Sequence, residues 1–375
     1  MSALFAKTAW MALVASSLLL VSSFAPISPA SLQTSVDPWR LALALLMMAL
    51  ALVGKHLGAA LALTALSLFA NLQLVVSLYQ HSAGAASGFW LGFYANFAVS
   101  LAAIGYISLR DSATQSPVHK AIARLLPSAS VPLLLLLLWQ GLVLGNQVPR
   151  GIFPGVHHVW RALNASFGVL LNDSYVTFVQ EVLLGLAIGV SSGFLAGVAV
   201  AGSRFLQRGF LPLAAAFGAV PIVGLAPVLG RAFGVDWHSK AAVVVIVTFF
   251  PVLLNTVQGL LLVDPLRLEL LQSYAAKPRH IFLKLRLPNA LPYLFNALKL
   301  AVVLSVISVI VAEFLIPGPP RGLGQRISLS ARQGAYDVVF AAIFVSSVIS
   351  VTAYGFVSWL ERRLTAWHAS FRESS

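Results

Sequence analysis

The chain has 375 residues, 59% of them hydrophobic and 9% charged, with a mean hydropathy of +0.90 and a formal net charge of +13. That composition excludes a soluble domain kept in solution by surface charge, and it fits a polytopic helical membrane protein. The absence of cysteine excludes a disulfide framework and thiolate metal sites; basic residues sit in short clusters between apolar runs, not on one stripe, which argues against nucleic-acid binding.

Taken in chain order, stretches apolar enough to cross ~30 Å of hydrocarbon lie at about 9–25, 39–54, 58–79, 89–109, 131–146, 178–201, 210–230, 241–262, 297–316 and 338–359. The expectation is therefore about ten transmembrane helices. The first stretch follows Lys7 and ends in small residues around Ser22 to Ala25. It reads as a retained anchor, because Pro26 directly follows the small residues; a cleaved signal peptide is the alternative.

Charge sets the orientation. With the N-terminus in the cytoplasm, sixteen of the 24 Lys and Arg residues fall on the cytoplasmic side and eight on the other, and inversion reverses this. The outer group includes Arg231, Lys240 and Arg326 in connecting segments.

The chain divides near residue 112. Residues 1–112 form a hydrophobic N-terminal extension of about four helices almost without charge, and 113–130 read as a basic cytoplasmic linker. Residues 131–368 form a core with larger loops and more Pro and Gly punctuation. The two parts are not copies, which weakens a transporter built on inverted repeats.

Residues 264–298, starting Asp264-Pro265-Leu266-Arg267, are too charged to span a bilayer and too regularly apolar for a slack loop. Leu266 and Leu270 lie one turn apart, as do Ile281 and Leu285, so each stretch carries an apolar ridge. Pro278 disfavours helix at Lys277 and suits the first turn of a new one. Pro288 cannot continue that second helix without a kink. Two short amphipathic helices are expected on the cytoplasmic side, with a tight elbow at Ala275-Ala276-Lys277-Pro278 directly after Tyr274.

This elbow resembles the EAA loop of binding-protein-dependent ABC permeases. Glu269 is followed six positions on by Ala275, then by Leu285 and Leu287-Pro288, in that family's spacing. Leu270 and Leu271 replace the family's two alanines, and Ala275 replaces its glycine. Ala tolerates left-handed backbone poorly, so a more helical elbow is expected here. Over about residues 130–368 the chain is similar to permeases of the nitrate/sulfonate/taurine type. The matching pieces are Phe153-Pro154, Val182 to Gly185 with Gly189, Gly193 and Gly197, Pro221 through Pro227 to Phe233-Gly234, Phe250-Pro251, and Ala312-Glu313 with Gly322-Leu323-Gly324.

The resemblance implies a type I ABC importer permease core in the bacterial inner membrane, with an N-terminal helical extension. It implies a permease homodimer, cytoplasmic ABC ATPase subunits gripping the elbow, and an extracytoplasmic solute-binding protein. The cargo is a small polar or anionic solute of the nitrate, sulfonate, taurine or vitamin-precursor class. It implies no catalytic site and no cofactor in the chain itself. Consistently, Gly54-Lys55-His56 lacks the earlier glycine and the Ser or Thr of a phosphate-binding loop.

Other residues carry weaker expectations. Pro221, Pro227 and Glu313 are candidates for the pathway or a gate, Glu313 because a membrane carboxylate is costly and at a helix end can cap a neighbouring segment. Glu181 reads as an acid at a helix N-terminus. The histidine pair His157-His158 lacks a third ligand at metal spacing. Gly185, Gly189, Gly193 and Gly197 step by four and favour close helix packing, with a subunit interface as one setting for it. The rival function is a secondary transporter or channel working without an ATPase.

Overall fold

The computed structural model describes residues 38–53, 57–81, 85–109, 117–218, 221–316, 318 and 321–365. Every regular element among the described residues is a helix, the form in which a single segment satisfies its own backbone in hydrocarbon. The chain separates into two compact units, residues 1–160 and 161–375.

In the first unit the helices are α1 (Pro38–Val53), α2 (Leu57–His81), α3 (Ser87–Leu109) and α4 (Pro117–Gly145). The expected crossing at 9–25 lies outside the described residues. Small residues let α1, α2 and α3 approach: Ala44, Ala70, Ala95, Ala102 and Ala103 are buried with Met47, Leu63 and Val99. Buried polar groups also join α2 to α3, where the Ser67 and Ser100 hydroxyls lie 2.6 Å apart. Phe89 and Phe93 stack at 5.2 Å between centroids and pack with Leu74, Leu78 and Leu138.

The segment expected as a linker is helical from Pro117 and runs unbroken into the apolar stretch, passing Pro127 and Pro132. Helices in hydrocarbon tolerate internal proline; between the two prolines the Ser130 hydroxyl donates to the Leu126 carbonyl, one turn back, at 2.7 Å. A short helix, α5 (Val156–Ala165), follows.

The second unit is organised around α9 (Trp237–Leu261), which lies between α6 (Phe167–Ala201) and α11 (Pro278–Leu315). Gly185, Gly189, Gly193 and Gly197 of α6 all face α9. An added Cβ on Gly185 would lie 2.6 Å from the Ala241 carbonyl oxygen, on Gly193 2.6 Å from that of Phe249, and on Gly197 3.0 Å from that of Leu253. The stripe therefore gives the close helix packing expected, and its setting is a contact within the chain. The Thr248 and Thr256 hydroxyls on the facing side donate to their own helix, to Val244 and Val252 carbonyls at 2.8 and 2.7 Å.

Three expectations change. The crossing expected at 210–230 is two helices, α7 (Arg204–Gly218) and α8 (Ile222–Phe233), separated at an extended Pro221 with ψ 117°. Pro221 offers no N–H and biases its predecessor away from helix. Neither piece spans alone, since 15 and 12 residues rise only about 22 and 18 Å. Next, α6 starts at Phe167 and not near 178, so Glu181 lies inside a 35-residue helix. Finally, the second helix of the 264–298 segment does not stop at Pro288 but continues as the 38-residue α11. Six helices among the described residues are long and apolar enough to cross a membrane, with two shorter apolar ones, Phe89–Gly105 and Val223–Phe233.

The remaining elements are α10 (Pro265–Ser273), α12 (Leu323–Arg332) and α13 (Tyr336–Leu364). Near the end of α13 the Glu361 carboxylate pairs with Lys299 of α11 at 2.9 Å.

Candidate functional site

Local sequence builds the 264–288 segment step by step. Asp264 caps α10 by accepting from the Leu266 N–H at 3.0 Å, and Pro265 occupies the first turn, where a missing N–H costs nothing. No residue of α10 is buried. Its apolar ridge points outward, with Leu266 74% and Leu270 57% exposed, followed by Tyr274 at 78%. Glu269 is exposed on the same helix.

The helix ends in two crossed bonds: Ala276 N–H donates to Leu271 O at 3.0 Å and Ala275 N–H to Gln272 O at 2.9 Å. This closure needs a left-handed residue, and Ala275 supplies it at φ 53°. The elbow is therefore not more helical than a glycine would make it. The two crossed bonds satisfy carbonyls that a straight exit leaves open, and they outweigh the Cβ penalty. Lys277 is extended at ψ 148°, as a residue before proline should be, and Pro278 opens α11.

A π-helical turn, Phe282–Arg286, then carries α11 past Pro288. The Leu287 N–H donates to Phe282 O, five residues back, so the bonding frame widens just before the residue that has no N–H. Leu285, Leu287 and Pro288 are half-buried along this stem. The stem is tied down by Asn289, whose amide donates to Gly259 O and Leu262 O, each at 2.9 Å, at the end of α9. Lys277, Arg279 and Lys284 are exposed around the elbow. The segment is thus a stiff projection with an apolar crest and a basic flank.

A second polar site lies at the other end of α11. Glu313 is fully buried: its Oε1 accepts from the Thr177 hydroxyl at 2.9 Å and its Oε2 from the Gly324 N–H. The Thr177 oxygen also accepts from the Leu323 N–H at 2.8 Å. Asp173, one turn earlier, accepts from the Gly322 N–H at 3.2 Å and pairs with Arg326 at 2.8 Å. The Gln325 amide donates to the Glu313 and Ile316 carbonyls. The Asp173, Thr177 and Glu313 oxygens thus accept from three successive open N–H groups at the start of α12, and the Gln325 amide serves carbonyls at the end of α11. Gly322 has φ 108°, and a Cβ there would run into the Glu313 carboxylate.

Glu181 is buried beside Glu313, 3.4 Å from the Lys240 ammonium, and neither of its oxygens accepts a hydrogen bond among the described residues. This corrects two expectations. Glu181 does not sit at a helix N-terminus, and Lys240 is not a loop charge but a 3% exposed residue in the first turn of α9. Two such charges enter a low-dielectric interior only together.

Of the remaining candidates, Pro221 and Pro227 are exposed on or beside α8, away from the Glu313 cluster's hydrogen bonds. The ring nitrogen Nδ1 of His157 lies 2.7 Å from the Gln140 amide nitrogen, and His158 Nδ1 accepts from the Gly155 N–H at 3.3 Å. Asp173, Thr177 and Lys240 are the residues that sequence reasoning missed. A signal was present: Asp173, Thr177 and Glu181 step by four in an otherwise apolar run, and the glycines from 185 to 197 continue the same step.

A family profile described as binding-protein-dependent transport system inner membrane component matches residues 189–366. A probable ABC transporter permease protein of Haemophilus influenzae is 30% identical over 240 residues, covering 64% of this chain and 97% of that protein. The formylaminopyrimidine transport permease protein of Halalkalibacterium halodurans is 33% identical over 184 residues, 49% of this chain and 73% of that protein. The taurine transport system permease protein of Escherichia coli is 27% identical over 221 residues, 59% and 74% of the two chains.

Proposed function

This chain belongs to the family of binding-protein-dependent transport system inner membrane components, and on that premise we propose that it is the permease subunit of an ATP-driven importer. It is a multi-pass inner-membrane protein. Two copies form the pathway, a soluble ATPase binds on the cytoplasmic side, and an extracytoplasmic binding protein delivers the solute. The cargo is a small polar or anionic compound; relatives named for formylaminopyrimidine and taurine transport support that class. ATP is hydrolysed by the partner, and this chain carries no reaction of its own.

The observation that carries the reading is the exposed helix–turn–helix at 264–288, stiffened by crossed bonds at Ala275 and anchored by Asn289. A rigid projection moves as a body, so closure of a groove around it becomes a displacement of α11. Glu269, Tyr274, Ala275, Ala276, Lys277 and Pro278 form the gripped part, and Leu285, Leu287 and Pro288 the stem. The basic flank complements acidic residues in the partner's groove. Pro221 and Pro227 line the pathway between two copies; their exposure at the start and on the surface of α8 supports this.

A transporter working without an ATPase needs a carboxylate available to a coupling ion; both oxygens of Glu313 are engaged, and Glu181, the other buried carboxylate beside it, already faces the Lys240 ammonium at 3.4 Å. The reading is tested by purifying the full chain from its native membranes in mild detergent. An ATPase of the nucleotide-binding type is expected to co-purify with the wild type, and to be lost or reduced at least tenfold with Ala275→Glu, while the variant still inserts. Equal recovery of the ATPase with both proteins overturns the docking role.

A further inference from the structure

The two polar sites of the second unit sit at opposite ends of one element. Pro278 begins α11 at the elbow, and Glu313 lies two residues before its end at Leu315. The helix is unbroken between them, so it acts as a rod about 50 Å long. A tilt imposed at the elbow arrives at Glu313. There the rod does not end free: its carboxylate is held by the Thr177 hydroxyl of α6 and by the Gly324 N–H of α12.

We infer that Thr177 is a positioning residue for transport, whose hydroxyl joins the far end of α11 to the first turn of α12, so that movement of the rod repositions α12. The geometry makes Thr177 the hub. One oxygen donates to Glu313 and accepts from the Leu323 N–H, linking three helices through a group that is 2% exposed. Asp173 and Arg326 brace the same turn from the side. Both Thr177 and Glu181 lie in the π-helical stretch Tyr175–Leu183 of α6. Such a stretch holds one more residue per turn than its surroundings and can slip back to α geometry, turning Thr177 relative to the rest of the helix. The charged groups around the hub are Asp173 and Glu181 from α6, Lys240 from α9, Glu313 from α11 and Arg326 from α12. This inference rests on the transport reading for what moves the rod; the clamp itself does not.

The chain has no cysteine, so a single introduced thiol reports without background. Ser330 of α12 is 5% exposed, and Ser330→Cys is nearly isosteric. The full complex is held in right-side-out and inside-out vesicles and treated with a membrane-impermeant maleimide, with and without ATP plus vanadate. Slow labelling from the outer face at rest is expected, with a change of about fivefold on trapping the nucleotide. Thr177→Val keeps the shape and removes the hydroxyl; it is expected to raise the resting rate about tenfold, as loss of two buried hydrogen bonds implies. Thr177→Ser restores the wild-type rate within about twofold, which a role limited to packing of the γ-methyl does not produce. If Thr177→Val fails to insert, Glu313→Gln removes one acceptor oxygen and must give the same rise. A resting rate unchanged in these variants, or no rescue by Ser, overturns the inference. Nucleotide-insensitive labelling with the ATPase bound also overturns it, whereas absence of any bound ATPase overturns the transport reading instead.

Discussion

Ala275 spends conformational energy to keep the elbow tight. At φ 53° its Cβ meets the preceding carbonyl, a cost of roughly 1–2 kcal/mol that glycine does not bear. Glycine also loses about 0.4–1 kcal/mol more chain entropy on ordering, so Ala275→Gly gains up to about 1 kcal/mol at this position. The gain is local, so it belongs in the exchange of the amides that close the turn. In the purified full chain, hydrogen exchange at Ala275 and Ala276 is expected to slow up to about fivefold in Ala275→Gly, with no change in α13. Faster exchange would mean that the elbow is not held in left-handed geometry. The spacing from Glu269 and Leu285 put this residue at the elbow, where the chain turns. The sequence misjudged the backbone there, because intrinsic preference was weighed without the two crossed hydrogen bonds that override it.

At the scale of the element, α6 carries one continuous stripe. It begins with Asp173, Thr177 and Glu181, which hold α12 and Lys240, and goes on to four glycines that admit α9. In hydrocarbon, where water does not drive helices together, such contact rests on close backbone approach and polar pairing. Gly193→Ala places a methyl 2.6 Å from the Phe249 carbonyl oxygen, on backbone that cannot rotate away. The expected cost is about 1–3 kcal/mol. Gly168→Ala on the same helix meets nothing within 4 Å and is expected to be neutral or to gain up to about 1 kcal/mol. Thermal unfolding in one detergent compares them: the first variant melts several degrees lower, the second does not. Equal melting of both contradicts the packing described here.

The glycine half of that stripe was legible from its four-residue step. The polar half keeps the same step but went unread, because Asp173 and Thr177 lay in what reads as a connecting segment. Length and hydropathy show where a span fits, but not that a helix extends beyond it by about three turns. The same limit hid the continuity of α11, where a proline at 288 reads as a break and a π turn just before it accommodates the missing donor.

At the scale of the whole molecule, composition alone gave an all-helical membrane protein, and the charge pattern gave an orientation. The spacing of Glu269, Ala275, Leu285 and Pro288 pointed to the projecting segment, and that segment is exposed in the structure. What depended on contacts distant in sequence stayed hidden. Lys240 was counted among outer charges although it is buried against Glu181, 59 positions earlier in the chain. Pro221 was read within a crossing, although it separates two helices too short to span. Apolar content does not register a residue whose effect is to remove one N–H. About a third of the chain lies outside the match to the Haemophilus influenzae protein. The described helices of the first unit nevertheless have a core of their own, with alanines at the contacts and a hydroxyl pair between α2 and α3.

The account stands on the 264–288 projection being cytoplasmic and gripped by a nucleotide-hydrolysing partner. Tyr274→Cys puts one thiol at its most exposed aromatic position in a chain without other cysteines. In native vesicles, an impermeant maleimide is expected to react with it from the cytoplasmic face alone, slowly while the ATPase is bound and at least tenfold faster after the ATPase is stripped off. Reaction from the outer face, or a rate indifferent to the ATPase, contradicts the account.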